Sequence, residues 1–271
     1  MLRLRGTLAF VAAVALSCGA SAAAPNPQLL HRLQQARGPF NVVRAPGHSL
    51  LLYGTIGLGD DAVFAQALSP GTTTLVVNSA GGEVRPALAM AHLIRARGLN
   101  VIVDGFCASS CADYLFVAGK SQQVHSNSIV LWHGGVTPEM PQQAASAVRE
   151  QVLKLGQSED AAAAAAGQTV AEWTQVLREQ RRFYRELGLP DIILEGLNSF
   201  NDARPLGGTA PGNDMLFISY RALRCAGLKG LRRAWAPSSP AGWKRFFEQA
   251  GILDRRIAES SALERTICPS S

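Results

Sequence analysis

The sequence lacks a long apolar run at its N-terminus. The run that is present extends from Leu8 to Leu16, whereas a membrane-spanning helix needs about 20 apolar residues. Arg3 and Arg5 precede this run, and small residues follow it at 20–22. This order of basic, apolar and small residues is typical of a secretory signal peptide. We therefore expect residues 1–24 to be a signal peptide and the mature protein to be periplasmic or secreted, with membrane contact only through an uncleaved signal.

Concentrated charge is also absent. Only 17% of the residues are charged and the formal net charge is +6. The basic residues are scattered, apart from a group at 178–185 and the pair Arg232-Arg233, and they form no nucleic-acid-binding motif. The sequence therefore predicts no nucleic-acid partner. Its 47% hydrophobic content is enough for an ordinary buried core.

Cysteine is scarce, with five residues in the chain. Beyond the signal peptide there remain Cys107, Cys111, Cys225 and Cys268. An even number of cysteines in an exported protein predicts disulfides, and four cysteines allow three pairings. We favour Cys107–Cys111 together with Cys225–Cys268, because the first bond would fasten a turn that carries two serines.

Zinc binding is the alternative use of these cysteines. The histidines are not spaced around them in the way that zinc ligands are. We therefore expect no metal and no cofactor.

Strands and helices alternate through the first half of the chain. Residue type and spacing predict strands at 40–43, 49–56, 73–78, 100–104 and 128–132, and helices at 60–68, 83–97 and 110–118. This alternation predicts an α/β architecture with a parallel sheet whose active edge lies at the strand ends. The strand at 100–104 is expected to stop at Gly105 and to become a helix at Ser109 and Ser110.

Residues with the chemistry of acyl transfer lie at three of these strand ends. They are Gly81-Gly82, Ser109-Ser110 and His133, and Asp214 stands just before a later strand. Acyl transfer by serine needs a nucleophile, an imidazole, a group that orients the imidazole, and backbone donors for the oxyanion. Each feature alone is weak, since glycine pairs usually form turns and serines usually cap helices. A histidine next to a tryptophan is also more often a packed residue than a base.

Four segments together resemble the proteolytic subunit of the Clp protease and its relatives. These segments are Asn78–Val84, Ala108–Ala112, Asn127–His133 and Asp214–Ser219. The resemblance covers about residues 50–135 well and 210–228 loosely. It implies the ClpP/crotonase-like fold, a spiral of ββα units. The cysteines that bracket the serines are more similar to those of exported relatives than to the cytosolic protease pattern.

The resemblance also implies roles for individual residues. It places the nucleophile at Ser109 or Ser110, the general base at His133 and the orienting acid at Asp214, with Asp202 as a substitute. The oxyanion donors fall on the backbone of the Gly81-Gly82 turn and of the residue after the nucleophile, which is Ser110 or Cys111. The local Ala-Ser pattern favours Ser109, whereas counting back from Ala118-Gly119 favours Ser110 and indicates one extra residue in this helix.

A helical arm is predicted after the His133 strand, at about 141–187. Its composition changes to Ala, Gln, Glu and Arg, with breaks expected near Gly156 and Gly167. The arm is interpreted as a helical cover or an oligomerisation element. Lys154 on this arm is the alternative general base, in a serine–lysine dyad like that of signal-peptide peptidases. Residues 25–235 then form the ClpP/crotonase-like domain, and 236–271 form a C-terminal tail.

These patterns predict an exported, ATP-independent serine hydrolase that acts as a peptidase. Its expected partners are a peptide or protein substrate and further copies of itself, because relatives of this group assemble into rings. A catalytically silent scaffold with the same fold is the main alternative. An acyl-thioester enzyme is a second alternative, less favoured because that chemistry needs no serine–histidine pair.

Overall fold

The computed structural model describes residues 24–194, 203–207, 214–252 and 256–268. The predicted signal peptide therefore lies outside the described residues, except for Ala24. The strands are β1 Asn41–Ala45, β2 Ser49–Ile56, β3 Thr74–Gly82, β4 Asn100–Ala108, β5 Ser121–Val124, β6 Ile129–Leu131, β7 Ala203–Gly207, β8 Asp214–Phe217, β9 Leu231–Ala234 and β10 Arg256–Ser260. The α-helices are α1 Pro27–Arg37, α2 Asp60–Ala67, α3 Val84–Arg97, α4 Met140–Lys154, α5 Glu159–Leu187, α6 Tyr220–Cys225, α7 Pro240–Ala250 and α8 Ser261–Ile267. A π-helix spans Cys111–Phe116 and a short 3₁₀ helix spans Asp191–Ile193.

A mainly parallel sheet forms the centre of the fold. Its strand order is β1-β2-β3-β4-β5-β9, and β6 also pairs with β4. Every pair is parallel except β1 with β2. The predicted α/β class is confirmed. Because the strands are parallel, the ends of β3, β4 and β6 meet at one edge of the sheet.

Strand β4 is longer than the sequence predicts. It bends at Gly105, where φ is 130°, and then continues to Ala108. Its first half pairs with β5 and its second half, from Phe106, pairs with β6. The prediction that the strand stops at Gly105 was therefore wrong, because a second partner strand takes over the hydrogen bonding beyond the bend. The chain leaves the sheet only at Ser109.

The element after Ser110 is a π-helix, not an ordinary α-helix. It covers Cys111–Phe116, and all of its residues are buried. A π-helix holds one more residue per turn than the α-helical pattern does. This accounts for the extra residue that the sequence comparison indicated between the serines and Gly119.

The helical arm consists of α4 and α5, joined by a turn at 155–158. Gly156 lies in this turn, as predicted, but Gly167 lies inside α5 and does not break it. A single glycine costs a helix only about 1 kcal/mol, and the alanines around it compensate. The buried residues of α5 include Val176, Gln180, Phe183 and Tyr184. In the described ranges no helix, α5 included, has both the length and the apolar character to cross a membrane.

The residues predicted as a C-terminal tail pack into the fold. Helix α7 buries Trp243, Phe246 and Phe247, and these rings contact one another. Strand β10 completes a second sheet of order β7-β10-β8. The amphipathic spacing at 243–253 therefore marked a helix that contributes to the core, because its apolar face is fully covered by the domain.

Candidate active site

Ser109 occupies the turn between β4 and the π-helix. Its φ is 55°, a left-handed conformation that non-glycine residues rarely adopt. The Ser109 N–H donates to the carbonyl oxygen of Leu131 at 3.0 Å, and the Ser109 carbonyl accepts from the Asp113 N–H at 2.9 Å. The strained turn is therefore held at both ends. A strained conformation of this kind persists only where the surrounding structure holds it, and such conformations cluster at functional sites.

The hydroxyl of Ser109 is hydrogen-bonded to His133. The bond joins Ser109 Oγ to His133 Nε2. Leu131, which anchors the Ser109 backbone, ends strand β6, and His133 follows shortly after it. The pairing of β4 with β6 therefore brings the nucleophile candidate and the base candidate together. This is the nucleophile–base contact that acyl transfer requires.

Ser110 has a different environment. It is 3% exposed, and its hydroxyl donates to the carbonyl oxygen of Gly82 at 2.7 Å. This bond fastens the start of the π-helix to the end of β3. Of the two serines that the sequence left open, Ser109 is the one that faces His133, and Ser110 has a structural contact.

The Gly81-Gly82 turn lies directly against the serines. The φ angles of the two glycines are 84° and 143°. A Cβ at Gly81 would lie 2.4 Å from the carbonyl oxygen of Ala108, and one at Gly82 would lie 2.0 Å from that of Ile56. Both positions therefore require glycine for backbone packing as well as for their conformation.

One of the predicted backbone donors in this turn is already engaged. The Gly81 N–H donates to Ser79 Oγ at 3.1 Å, and Ser79 Oγ donates in turn to the carbonyl of Gly54 at 2.5 Å. The N–H groups of Gly82 and Ser110 are the remaining candidates for oxyanion donors among the residues named from the sequence. Cys111 would take that role only if Ser110 were the nucleophile.

Strand β8 brings the predicted acid close to His133 along the backbone. Trp132 pairs with Leu216 in an antiparallel bridge, in which the Trp132 N–H donates to Leu216 O at 2.8 Å. Asp214 is the first residue of β8, two residues before Leu216. Because the two segments run antiparallel, Asp214 lies on the side of the bridge towards which the chain continues from Trp132 to His133. The Asp214 side chain and the substitute Asp202 lie outside the described residues.

Two disulfides are present, in the pairing that the sequence favours. Cys107 is bonded to Cys111, and Cys225 is bonded to Cys268. Cys107 lies on β4 and Cys111 on the π-helix, so the first disulfide closes the turn that holds Ser109. Both of these cysteines are fully buried. The second disulfide ties α6 to the end of α8.

A cavity of about 470 Å³ opens at Ser109 and His133. Its walls come from distant parts of the chain, namely α1, the ends of β2, β3 and β4, strands β6 and β8, and the residue after the C-cap of α7. The lining residues include Leu33, Arg37, Thr55, Gly82, Met215 and Ile252. A largely apolar cleft with a few polar groups at its base is typical of a substrate site.

Lys154 does not belong to this site. Its Nζ is paired with Glu150 Oε1 at 2.7 Å, and its side chain is 67% exposed. It does not line the cavity, so the serine–lysine alternative was wrong for this residue. An i,i+4 pair on the helix surface explains its position. Across the described ranges, no group of three or more His, Cys, Asp or Glu side chains could hold a metal ion.

Asp113 lies behind the site on the π-helix. It is 1% exposed and its Oδ1 has no hydrogen-bond partner. Burial raises the pKa of this carboxyl well above its usual value. Burial also raises the pKa of the Tyr114 and Tyr184 hydroxyls, with a further contribution from the nearby Asp113. Burial therefore disfavours the charged form of each of these three groups.

Sequence reasoning assigned no role to several residues that build the site. Ser79 orients the glycine turn, and Asn78 accepts from the Phe106 N–H at 2.9 Å while donating to Arg32 O at 2.9 Å. Both lie in a segment that carried the family resemblance, so their identity was noticed but their contacts were not. Met215 and Ile252 gave no local signal, because only the tertiary fold brings them to the cavity.

The comparisons with known proteins add little to this description. No protein-family model matches the chain, and no curated protein matches it. Among solved structures, an enoyl-CoA hydratase from Mycobacterium avium subsp. paratuberculosis K-10 aligns with 60% of this chain and 95% of its own, at 15% identity and a TM-score of 0.28. A likeness at that score carries no argument about activity. The functional conclusion therefore depends on the geometry of the site.

Proposed function

We propose that this protein is a serine hydrolase, in which Ser109 is the nucleophile and His133 the general base. The observation that supports this most directly is the hydrogen bond between Ser109 Oγ and His133 Nε2. It occurs in a strained turn and opens on a cavity, which are the features of an activated serine. A serine that only caps a helix needs neither a positive φ nor an imidazole partner.

The reaction would proceed in two halves. Ser109 Oγ forms a bond to the substrate carbonyl carbon while its proton passes to His133 Nε2, giving a tetrahedral oxyanion. The C–N bond then breaks, and His133 returns the proton to the leaving amine. Water, deprotonated by His133, attacks the acyl-enzyme in the same way and releases the acid. No proton or electron is left over in this sequence.

The oxyanion would be stabilised by backbone amides. Gly82 and Ser110 carry the candidate N–H groups on either side of Ser109, and the hydrogen bond from Ser110 Oγ to Gly82 O fixes their separation. Donors that are held before the reaction cost no reorganisation when the charge develops. Losing one such donor typically costs about 10²–10³ in kcat.

We further propose that the substrate is a peptide and that Asp214 orients His133. The cleft is largely apolar, and its volume of about 470 Å³ is enough to take several side chains. The start of β8 lies beside the His133 strand through the Trp132–Leu216 bridge. Export to the periplasm or beyond, and self-association, remain part of this proposal. Export agrees with two disulfides in the fold, since disulfides persist in oxidising compartments.

A labelling experiment tests the hydrolase proposal. The purified mature protein is treated with a fluorophosphonate, and the adduct mass and its site are determined by peptide mapping. We expect one adduct, on Ser109, which Ser109→Ala abolishes and which His133→Ala slows by several orders of magnitude. Ser110→Ala is the matched control, because it removes a neighbouring hydroxyl that does not face His133.

Two results would contradict the proposal. One is a wild-type protein, shown to be folded by its near-UV circular dichroism, that takes up no label on either serine. The other is an adduct that maps to Ser110 and persists in Ser109→Ala. The first would favour a catalytically silent scaffold with the same fold.

A further inference from the structure

Gln180 of α5 bridges the segments that follow Ser109 and His133. It is 1% exposed. Its Oε1 accepts a hydrogen bond from the Tyr114 hydroxyl at 2.8 Å and another from the Val136 N–H at 3.0 Å. Its Nε2 donates to the Val136 carbonyl oxygen. One side chain of the helical arm therefore joins the π-helix to the backbone just beyond His133.

The segment beyond His133 is shaped to receive this side chain. A Cβ at Gly135 would lie 2.6 Å from Gln180 Oε1 and 2.9 Å from Leu194 Cδ2. The Gly135 N–H donates to the Leu194 carbonyl oxygen at 2.9 Å. Residues 135–136 are thus held between α5 and the chain that follows it, with no space for a larger residue at 135.

The burial of an amide at this position needs a reason beyond packing. A buried amide is costly unless its donor and acceptor are both satisfied, whereas an apolar side chain of similar length would fill the same volume without that requirement. Gln180 makes three hydrogen bonds, all to the segments that follow the two proposed catalytic residues. This arrangement fixes the distance between those segments, and packing alone would not.

We propose that Gln180 is a positioning residue for the Ser109–His133 pair. It touches neither reacting atom and acts through Tyr114 on the nucleophile side and through Val136 on the base side. The inference rests on the proposed hydrolase function. It gives the helical arm a role at the site, because α5 helps to set the relative position of the segments that carry Ser109 and His133. A displacement of about 1 Å between catalytic groups can cost about 100-fold in rate.

The test compares Gln180→Met with Tyr184→Phe. Gln180→Met keeps the length of the side chain and removes all three hydrogen bonds. Tyr184→Phe is the matched control on the same helix, because it removes the bond from the Tyr184 hydroxyl to the Asp113 carbonyl at 2.9 Å and leaves the three hydrogen bonds of Gln180 in place. For each variant we measure the fluorophosphonate labelling rate across pH, the imidazole NMR signals of His133, and the urea midpoint.

We expect Gln180→Met to slow labelling by about 10- to 100-fold and to shift the His133 imidazole signals and the pH profile of labelling. Tyr184→Phe should lower the urea midpoint. Its labelling rate per folded molecule should stay within twofold of wild type, and its His133 signals should not shift. Equal effects of the two variants, or unchanged His133 signals in Gln180→Met, would overturn the assignment.

The two proposals fail separately. If wild-type protein takes no label, the hydrolase function is wrong, while the NMR comparison still shows whether Gln180 positions His133. If wild-type protein is labelled and Gln180→Met is labelled at the same rate, the hydrolase function stands and the role of Gln180 is wrong. Should Gln180→Met fail to fold, Tyr114→Phe, which removes only one of the three bonds, replaces it in the same comparison, with a smaller slowing expected.

Discussion

Gly81 lies in van der Waals contact with the turn that carries Ser109. A Cβ at Gly81 would lie 2.8 Å from Ser109 Cβ and 2.4 Å from Ala108 O. The glycine turn at the end of β3 and the serine turn at the end of β4 therefore pack backbone against backbone. No side chain fits between them, and this closeness is what places amides of one turn near the hydroxyl of the other.

Gly81→Ala should destabilise the protein and remove labelling of Ser109. The new methyl group would clash with Ala108 O, and φ at this position is 84°. Together these effects should lower the free energy of unfolding by about 2–5 kcal/mol, measured by urea denaturation. Gly167→Ala is the matched control, because it lies in α5 with nothing within 4 Å of its Cβ position. It should raise stability by about 0.5–1 kcal/mol. Equal stability of the two variants would contradict this reading.

Ser110→Ala should cost stability more than reactivity. The substitution removes the hydrogen bond to Gly82 O at 2.7 Å and leaves a carbonyl with one partner fewer. We expect a loss of about 1–2 kcal/mol in the free energy of unfolding. The fluorophosphonate adduct should still form on Ser109, at a rate lowered far less than by His133→Ala. A loss of labelling as complete as in Ser109→Ala would be inconsistent with a structural role.

The strand ends were the part of the site that could be predicted from sequence. Gly81, Ser109 and His133 each follow a short apolar strand, and parallel strands end at one edge of a sheet, so local pattern was enough to bring them together. The choice between Ser109 and Ser110 was beyond local pattern. It depends on the left-handed φ of Ser109 and on the π-helix that follows, and the Ser109 backbone is held in place by its hydrogen bond to Leu131 of β6.

Other parts of the site could not be read from local pattern at all. Gln180 lies on a helix of mixed polar composition, where nothing distinguishes a buried glutamine from an exposed one. The end of α7 was taken as part of a tail, since the amphipathic pattern there does not say what covers its apolar face. Contacts of this kind join residues far apart in the chain, so only the tertiary fold defines them.

The two disulfides should differ in what they stabilise. Cys225–Cys268 spans 43 residues and Cys107–Cys111 spans 4. In the chain-entropy model, replacing Cys225 and Cys268 with alanine should lower the free energy of unfolding by about 4 kcal/mol. Replacing Cys107 and Cys111 should lower it by about 2 kcal/mol.

Reactivity should follow the opposite order. The alanine variant of Cys107 and Cys111 should label more slowly, because the turn that holds Ser109 is less restrained. The variant of Cys225 and Cys268 should label at the wild-type rate below its unfolding temperature. Urea denaturation and labelling kinetics at the same temperature check both statements. Slower labelling only in the variant that lacks Cys225 and Cys268 would refute them.

Asp113 should make the protein less stable as pH rises from acidic to neutral. Burial raises the pKa of its carboxyl above the usual value, so the folded state holds the proton more tightly than the unfolded chain does. That contribution is complete below the unfolded pKa of about 3.9. It is lost as pH rises towards the folded pKa.

Asp113→Asn removes this dependence. Relative to the variant, the wild type should therefore lose stability as the pH rises from about 4 through the neutral range. Urea midpoints of the two proteins at several pH values in this range measure the difference. Parallel curves would show that Asp113 ionises as readily in the fold as in the unfolded chain.

The wall of the cavity that contains Ile252 comes from the chain just after helix α7, long after Ser109 and His133 in the sequence. During synthesis the serine and the imidazole emerge well before this wall. A nascent chain that already holds both groups still has an open cleft, and only the last elements close it. The order in which the polypeptide is made thus delays the completed site until almost the whole domain is available to fold.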